Sequence, residues 1–395
     1  MASRISYMGT KHELAAAVSQ VIESCQPGRL MDAFSGMGAV AEAHAGTRQV
    51  WTNDVQHFAH LASTCRFTDQ GGPMSASALG MIARPLYSQN LKRLRDQNEA
   101  AFKFSRQAVK ATEYLLFERN FSRAKSYPIV SEEAYGCFIQ RYSHSYFSVI
   151  QCAEIDSIRF ALETLRGRGS MSASQFDWAI LALGRASLRL ANTTGHFAQF
   201  LSPSRANFRR VCKQFSRSIW TDWLSSISRL PPVGQANWRS ENLATRSDST
   251  SLLRDPSRSE QARVVYCDPP YTDDQYSRYY HVWETLVLYD YPETTGKGLY
   301  RPGRFTTSFS LSSKVVGAFQ QLISDIAAAD ADLVLSYPSN GLLHKVGACP
   351  LELIREVYPS GRVAMELDHS HSTLGASKGA AKASVTERIY VALAA

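Results

Sequence analysis

The chain has 395 residues, 44% of them apolar, enough for one large core with a satellite domain. Its 43 Lys and Arg exceed its 35 Asp and Glu by a net +8, a balance suited to a polyanionic partner. The seven cysteines are scattered with no CxxC pair, so neither a disulfide framework nor a zinc site is indicated, and no apolar run approaches a membrane span. The N-terminal stretch carries Arg4 and Lys11 and no apolar core of a leader, so the expected location is cytoplasmic.

In chain order, helical spacing runs from His12 to Ile22, and a strand is predicted at 30–34. Ser35-Gly36-Met37-Gly38 follows, and Ala39-Val40-Ala41-Glu42-Ala43 reads as a helix. Strand, glycine loop and helix in that order present backbone to a nucleotide-like ligand. The stretch from Gly36 to Ala41 also fits the dinucleotide pattern GxGxxA, so the loop alone does not separate two cofactors. A second strand at 49–53 ends at Asp54, a carboxylate placed for ribose hydroxyls or for capping the next helix, Gln56–Cys65.

Asp69-Gln70-Gly71-Gly72-Pro73 breaks this pattern. From about 75 to 235 strand signals nearly vanish, and helical stretches are predicted at Leu91–Phe121, Glu132–Leu165, Gln175–Leu190 and Arg205–Ile227. Between Arg84 and Lys125 ten Lys/Arg face only four acids. Lys92, Arg95, Lys103, Arg106 and Lys110 are expected on one side of a helix, a row able to follow phosphates or simply to face solvent. Asn192-Thr193-Thr194-Gly195-His196-Phe197 is a polar break, either DNA-facing or a plain connection.

Sheet patterning resumes with strands at 243–245, 264–267, 332–336, 363–367 and 388–393. The expected organisation is thus an α/β domain from 1–72 and 236–395, interrupted by a helical insertion at 73–235. Asp248 follows the third strand. Pro292–Ser313 and His369–Ser384 look like mobile connections, and His369 with His371 lacks a third ligand, so no metal is expected. Most telling is Asp268-Pro269-Pro270-Tyr271 after the apolar Val264-Val265-Tyr266-Cys267. It sets a carboxylate, a carbonyl beside a proline and an aromatic ring at the carboxyl edge of a sheet, where open α/β folds bind ligands. Two fixed acceptors and a stacking ring suit an amino group on a flat heterocycle.

Together these pieces resemble the adenine-specific DNA methyltransferases, closest to the DNA adenine methylase family. Tyr7-Met8-Gly9-Thr10-Lys11 is similar to its N-terminal Tyr-x-Gly-Gly-Lys segment, with Thr10 for the second glycine. Asp32 to Gly38 resembles its cofactor loop, Asn53-Asp54 its ribose-binding pair, and Asp268–Tyr271 its catalytic motif. The resemblance covers roughly 1–70 and 240–395. It implies a Rossmann-like sheet that binds S-adenosyl-L-methionine through Tyr7, Lys11, Asp32, Phe34, Gly36, Gly38, Asp54 and Asp248. It further implies catalysis by Asp268, Pro269, Pro270 and Tyr271 on a flipped adenine, a base pocket lined by Ser336 and Tyr337, and target recognition by the insertion, including the row from Lys92 to Lys110. Double-stranded DNA is the partner it implies, with a cognate restriction endonuclease as a further one. A nicotinamide oxidoreductase leaves Asp268–Tyr271 without a role; an RNA or protein methyltransferase with a related Pro-Pro-Tyr motif, or a non-catalytic DNA-binding relative, stands as the alternative.

Overall fold

The structure is a computed structural model that describes residues 14–132, 134–255, 261–371 and 383–394. Tyr7, Lys11 and most of the connection His369–Ser384 lie outside the described residues. The chain divides into two compact units. Among the described residues, one holds those through Gln70, Pro232–Ser277 and those from Phe305 on; the other holds Gly71–Pro231 and Arg278–Arg304.

The first unit is built on seven strands: β1 (Leu30–Asp32), β2 (Val50–Asn53), β3 (Leu243–Thr245), β4 (Val264–Cys267), β5 (Asp332–Pro338), β6 (Arg362–His371) and β7 (Ala383–Ala392). They form one sheet in the order β3-β2-β1-β4-β5-β7-β6. The first five are parallel, and β7 enters antiparallel between β5 and β6. Each strand lies where the apolar runs predict one. β1 is shorter than expected because the chain leaves the sheet at Ala33, whose N–H still donates to the Tyr266 carbonyl at 3.0 Å. β6 and β7 are longer because their outer halves pair through polar side chains, Arg388 with Glu366 at 2.8 Å and Thr386 with Asp368 at 2.9 Å.

Alternation along the strands sends Met31, Trp51, Val265, Leu333 and Leu335 to one face, under Phe319, Leu322, Ile323 and Ile326 of the helix Val315–Ala328. Leu30, Val264, Tyr266 and Val334 go to the other face, under Val18, Val21 and Ile22 of the helix Ala15–Glu23. Covering on both faces is why these strands read as unbroken apolar runs. Each large side chain so buried contributes about 1.5–3 kcal/mol. The strand order reverses between β1 and β4, which opens a crevice at their carboxyl ends.

The helical unit contains the helices Ala76–Gln97, Glu99–Val109, Tyr114–Ser126, Cys137–Tyr142, Val149–Gly167, Ala173–Leu190, Phe208–Phe215 and Ile219–Ile227. The long predicted stretches are therefore broken, and buried polar side chains break them. Asn98 donates to the Leu94 and Val130 carbonyls at 2.8 Å each and accepts from the Val130 N–H at 2.8 Å, which ends the first helix. Asp156 accepts from the N–H groups of Phe138 and Ile139, and Glu154 from that of Ile219, so each starts a new helix. In consequence the expected single row does not exist. Lys92 and Arg95 project from one helix and Lys103, Arg106 and Lys110 from the helix Glu99–Val109 and its end, all five exposed.

Two further expectations are corrected. Arg278–Arg304 packs with the helical unit, although its sequence follows the fourth strand and its Asp268–Tyr271 motif and reads as part of the α/β domain. The Trp283 ring N–H donates to the Gly184 carbonyl at 2.6 Å, and the Tyr289 hydroxyl to Asp156 at 2.5 Å. The connection Pro292–Ser313 is pinned rather than loose: Tyr300 donates to the Ala198 carbonyl at 2.6 Å, and Arg301 pairs with Asp290 at 2.6 Å. The break at Asn192–Phe197 is a packed connection at its ends, where Asn192 donates to the Leu201 carbonyl at 2.7 Å and Phe197 is fully buried, with only Thr194 and Gly195 exposed.

Candidate active site

After β1 the chain turns through Ser35-Gly36-Met37-Gly38, with φ of 50° at Gly36 and 74° at Gly38. At Gly38 glycine is required twice over: the left-handed φ disfavours a side chain, and a Cβ there would lie 2.3 Å from the Phe67 ring. Phe67 belongs to a π-helical turn, Thr64–Thr68, of a type that recurs at functional sites. Here the turn also supplies Arg66, which donates to the Met37 carbonyl at 2.7 Å and to Glu42 at 2.8 Å. One short irregular segment thus fixes the loop from behind with a ring and a guanidinium.

Asp54, just past β2, is buried and accepts from the Gly36 N–H at 3.1 Å and the Gln56 N–H at 2.9 Å. Burial pushes its carboxyl up to about 6, against the pull of those backbone N–H groups. Its neighbour Asn53 cannot serve a ligand. It is fully buried, donates to the Ala33 and Ser247 carbonyls at 3.2 and 3.1 Å, and accepts from Thr245 at 2.9 Å. The expected ribose-binding pair is therefore a brace plus one available carboxylate. Asp32 is buried, and Oδ1 has no partner among the described residues. Burial first, then the charges of Asp268 and Asp54, hold its carboxyl well above the usual range. Asp248 caps the helix Ser249–Leu253 through Oδ1.

β4 ends at Cys267 and delivers Asp268-Pro269-Pro270-Tyr271. Cys267 is fully buried, and burial together with Asp32 and Asp268 pushes its thiol far up, so it is inert packing. The six other cysteines are free thiols too. Asp268 is half-buried and Pro269 buried. The Tyr271 carbonyl accepts from the Leu342 N–H at 2.8 Å, which anchors the motif, and its ring lies edge-on to Tyr276 at 6.3 Å. Gln275 accepts from the Thr307 N–H at 2.8 Å and donates to the Thr307 carbonyl at 3.3 Å.

These elements enclose a cavity of about 1040 Å³, counting its open mouth. Of the residues singled out from sequence, Asp32, Phe34, Gly36, Asp54, Asp248, Asp268, Pro269, Pro270 and Tyr271 line it. Gly38 does not; it supports the loop. Ser336 and Tyr337 are absent from the lining: both are fully buried, Ser336 accepting from the Tyr266 hydroxyl at 3.2 Å and Tyr337 from the Leu343 N–H at 2.9 Å. They hold the strand rather than form a base pocket. Sequence reasoning missed Gln56, Ser249, Tyr276, Phe305 and Thr307, which also line the cavity. Gln56 and Ser249 sit beside flagged aspartates and were within reach; Phe305 and Thr307 carry no local signal. The described lining holds four carboxylates and no Lys, Arg or His. No cluster of metal-ligating residues occurs among the described residues.

The site thus combines a switch-point crevice, a glycine loop, a carboxylate after β2 and Asp-Pro-Pro-Tyr after β4. Residues 237–336 match the family model of the D12 class N6 adenine-specific DNA methyltransferases, a span that contains β3, β4 and the motif. The chain is 24% identical over 322 residues to the modification methylase LlaI of Lactococcus lactis subsp. lactis, covering 81% of this chain and 44% of that protein. It is 26% identical over 343 residues to the type II methyltransferase M.FokI of Planomicrobium okeanokoites, covering 85% and 45%, and 20% identical over 347 residues to the modification methylase StsI of Streptococcus sanguinis, covering 85% and 44%. The chain spans about half the length of the curated relatives it matches. The motifs and the sheet order agree with these likenesses to adenine-specific DNA methyltransferases.

Proposed function

We propose that the protein transfers a methyl group from S-adenosyl-L-methionine to the 6-amino group of adenine at a short sequence in double-stranded DNA. One observation carries the reading: a cavity whose described lining holds four carboxyl groups and no Lys, Arg or His is also lined by Asp268-Pro269-Pro270-Tyr271. S-adenosyl-L-methionine bears a sulfonium and an ammonium, and it supplies an activated methyl group when bound. The unpartnered Asp32 oxygen is placed for the ammonium, Asp54 for the ribose hydroxyls, and the space beside Phe34 and Asp248 for the adenine ring. Tyr7, Lys11, Gly36 and Gly38 complete the set the resemblance implies. A nicotinamide dinucleotide fits poorly, because its pyrophosphate would face carboxylates with no cation among the described lining residues.

Adenine's amino nitrogen is a weak nucleophile because its lone pair is delocalised into the ring. The Asp268 carboxylate and the Pro269 carbonyl accept its two hydrogens and hold them out of the ring plane, so the lone pair turns toward the methyl group. The contribution is positioning with fixed dipoles. The target is flipped out of the duplex and stacks on Tyr271. Tyr271→Ala should slow turnover, since stacking is worth about 1–3 kcal/mol per base, while Tyr271→Phe keeps a ring and much of the rate. Equal rates for the two variants in steady-state assays remove this role. In the insertion, Lys92, Arg95, Lys103, Arg106 and Lys110 contact phosphates from two helices. The work takes place where DNA is, in the cytoplasm, and a cognate restriction endonuclease is the natural partner of such a modification.

Cofactor affinity should depend on pH through Asp54. Its folded carboxyl is raised from 3.8 to about 6, so the native state holds this proton more tightly than the unfolded chain. The group's contribution to stability is full below about 4 and is lost as pH rises to about 6. Ribose hydroxyls donate to the ionised form. S-adenosyl-L-methionine binding should therefore tighten as pH rises through about 6 and level off above it. Calorimetry across that window checks this; Asp54→Asn should bind more weakly and lose the step. The reading as a whole is tested by mass spectrometry of nucleosides from treated duplex: N6-methyladenine is expected, and methylcytosine or methylation confined to RNA defeats it.

A further inference from the structure

We propose that Arg205, Arg209 and Lys213 form a further phosphate-binding row for duplex DNA, beside the cations between Lys92 and Lys110; the inference rests on the reading that DNA is the substrate. From Trp178 to Thr221 the chain has no Asp or Glu and seven Lys/Arg, a stronger one-sign run than any other stretch discussed above. The structure accounts for three of the seven. Arg185 is buried, and Arg189 and Arg217 pair with Asp222 at 3.5 and 2.9 Å.

The other four cluster on the helix Phe208–Phe215 and the turn that leads into it. Phe208, Val211, Cys212 and Phe215 are buried against Ala108 and Phe117, which fixes the rotation of this helix and turns Arg209, Arg210 and Lys213 outward. Arg210 is tied down, donating to the Thr193 carbonyl at 2.6 Å. Arg205, Arg209 and Lys213 are exposed and enter no ion pair among the described residues. Arg209 and Lys213 lie one turn apart on one flank. Arg205 extends the row from a turn closed by the Phe208 N–H on the Ser204 carbonyl at 2.9 Å, and its guanidinium lies 5.9 Å from the Tyr114 ring. Within the helix, Arg209 and Lys213 are about 6 Å apart along the axis at 1.5 Å per residue. Like charges a turn apart weaken a helix, and the helix carries no acidic residue to relieve them. A regularly spaced polyanion relieves them, and duplex DNA is that ligand here.

The test uses the full chain carrying Arg205→Gln, Arg209→Gln and Lys213→Gln together. Glutamine keeps helix propensity, and unchanged melting confirms the fold. Binding of a mixed-sequence duplex is read by fluorescence anisotropy over a salt series. The slope of log affinity against log salt should flatten by about three units, and low-salt affinity should fall by about tenfold or more. S-adenosyl-L-methionine binding and turnover at saturating duplex should stay as in the parent. Arg205→Lys with Arg209→Lys should keep the slope, because charge rather than fork geometry is at stake. An unchanged slope and affinity overturn the inference, as does a loss seen with single-stranded RNA but not with duplex DNA. A parent protein that binds no duplex at all overturns the DNA reading itself, a separate result.

Discussion

Asp268→Ala should abolish methyl transfer, with turnover falling by about a thousandfold or more, the scale of losing a preorganised acceptor at the reacting atom. Fold and cofactor affinity should be almost untouched. Asp268 is half-buried at the cavity's edge, and its charge already burdens Asp32, so removing it relieves a repulsion within the site. The variant should therefore melt no lower than the parent. Single-turnover assays with saturating S-adenosyl-L-methionine and duplex check the first part, and calorimetry the second. Near-normal turnover would remove Asp268 from the chemistry. Lost cofactor binding with intact turnover per bound complex would move it to the donor side.

Gly38→Ala should have the second largest effect, and on a different axis. The new Cβ must avoid the Phe67 ring at 2.3 Å while the backbone holds a φ of 74°. Phe67 is fully buried in its π-helical turn and has no room to swing aside. Overpacking and a left-handed alanine together should cost about 2–4 kcal/mol of stability. The loop cannot move toward the cavity to escape without displacing Met37, whose carbonyl Arg66 holds. Affinity for the methyl donor should fall along with the melting temperature. A variant that melts and binds like the parent would show that the loop has slack the packing does not suggest.

Much of the α/β unit was legible because its strands are buried on both faces. Leu30–Asp32, Val50–Asn53 and Val264–Cys267 announce themselves as apolar runs, and the residues just beyond each run are the ones that line the cavity. The helical unit was less legible. Asn98, Glu154 and Asp156 end or start helices by binding backbone groups far along the chain, and a polar residue inside a periodic stretch looks the same whether it caps or faces water. The same holds for Asn53, whose amide reads as a ligand contact and turns out to be a brace. Arg278–Arg304 was misassigned because amphipathic spacing says which face is buried but not against what. Phe305 and Thr307 reach the site only because Gln275 clamps Thr307, a pairing across 32 positions that no local pattern encodes.

The place of β7 sets an order on how the sheet can be completed. It is the seventh strand in sequence yet lies inside the sheet, between β5 and β6. Until it arrives, β5 has an open edge and β6 has no partner at all, so neither can rest in its native ladder. β1 finds β2 nearby in sequence, but its other edge waits for β4, since Leu30 pairs with Val264 more than 230 positions on. Such distant pairings slow folding far more than they weaken the finished sheet, because closure entropy grows only with the logarithm of loop length. A nascent chain therefore holds an exposed edge on β5 until β7 closes it, and loss of β7 alone would cost two strands of the sheet, since β6 has no other partner.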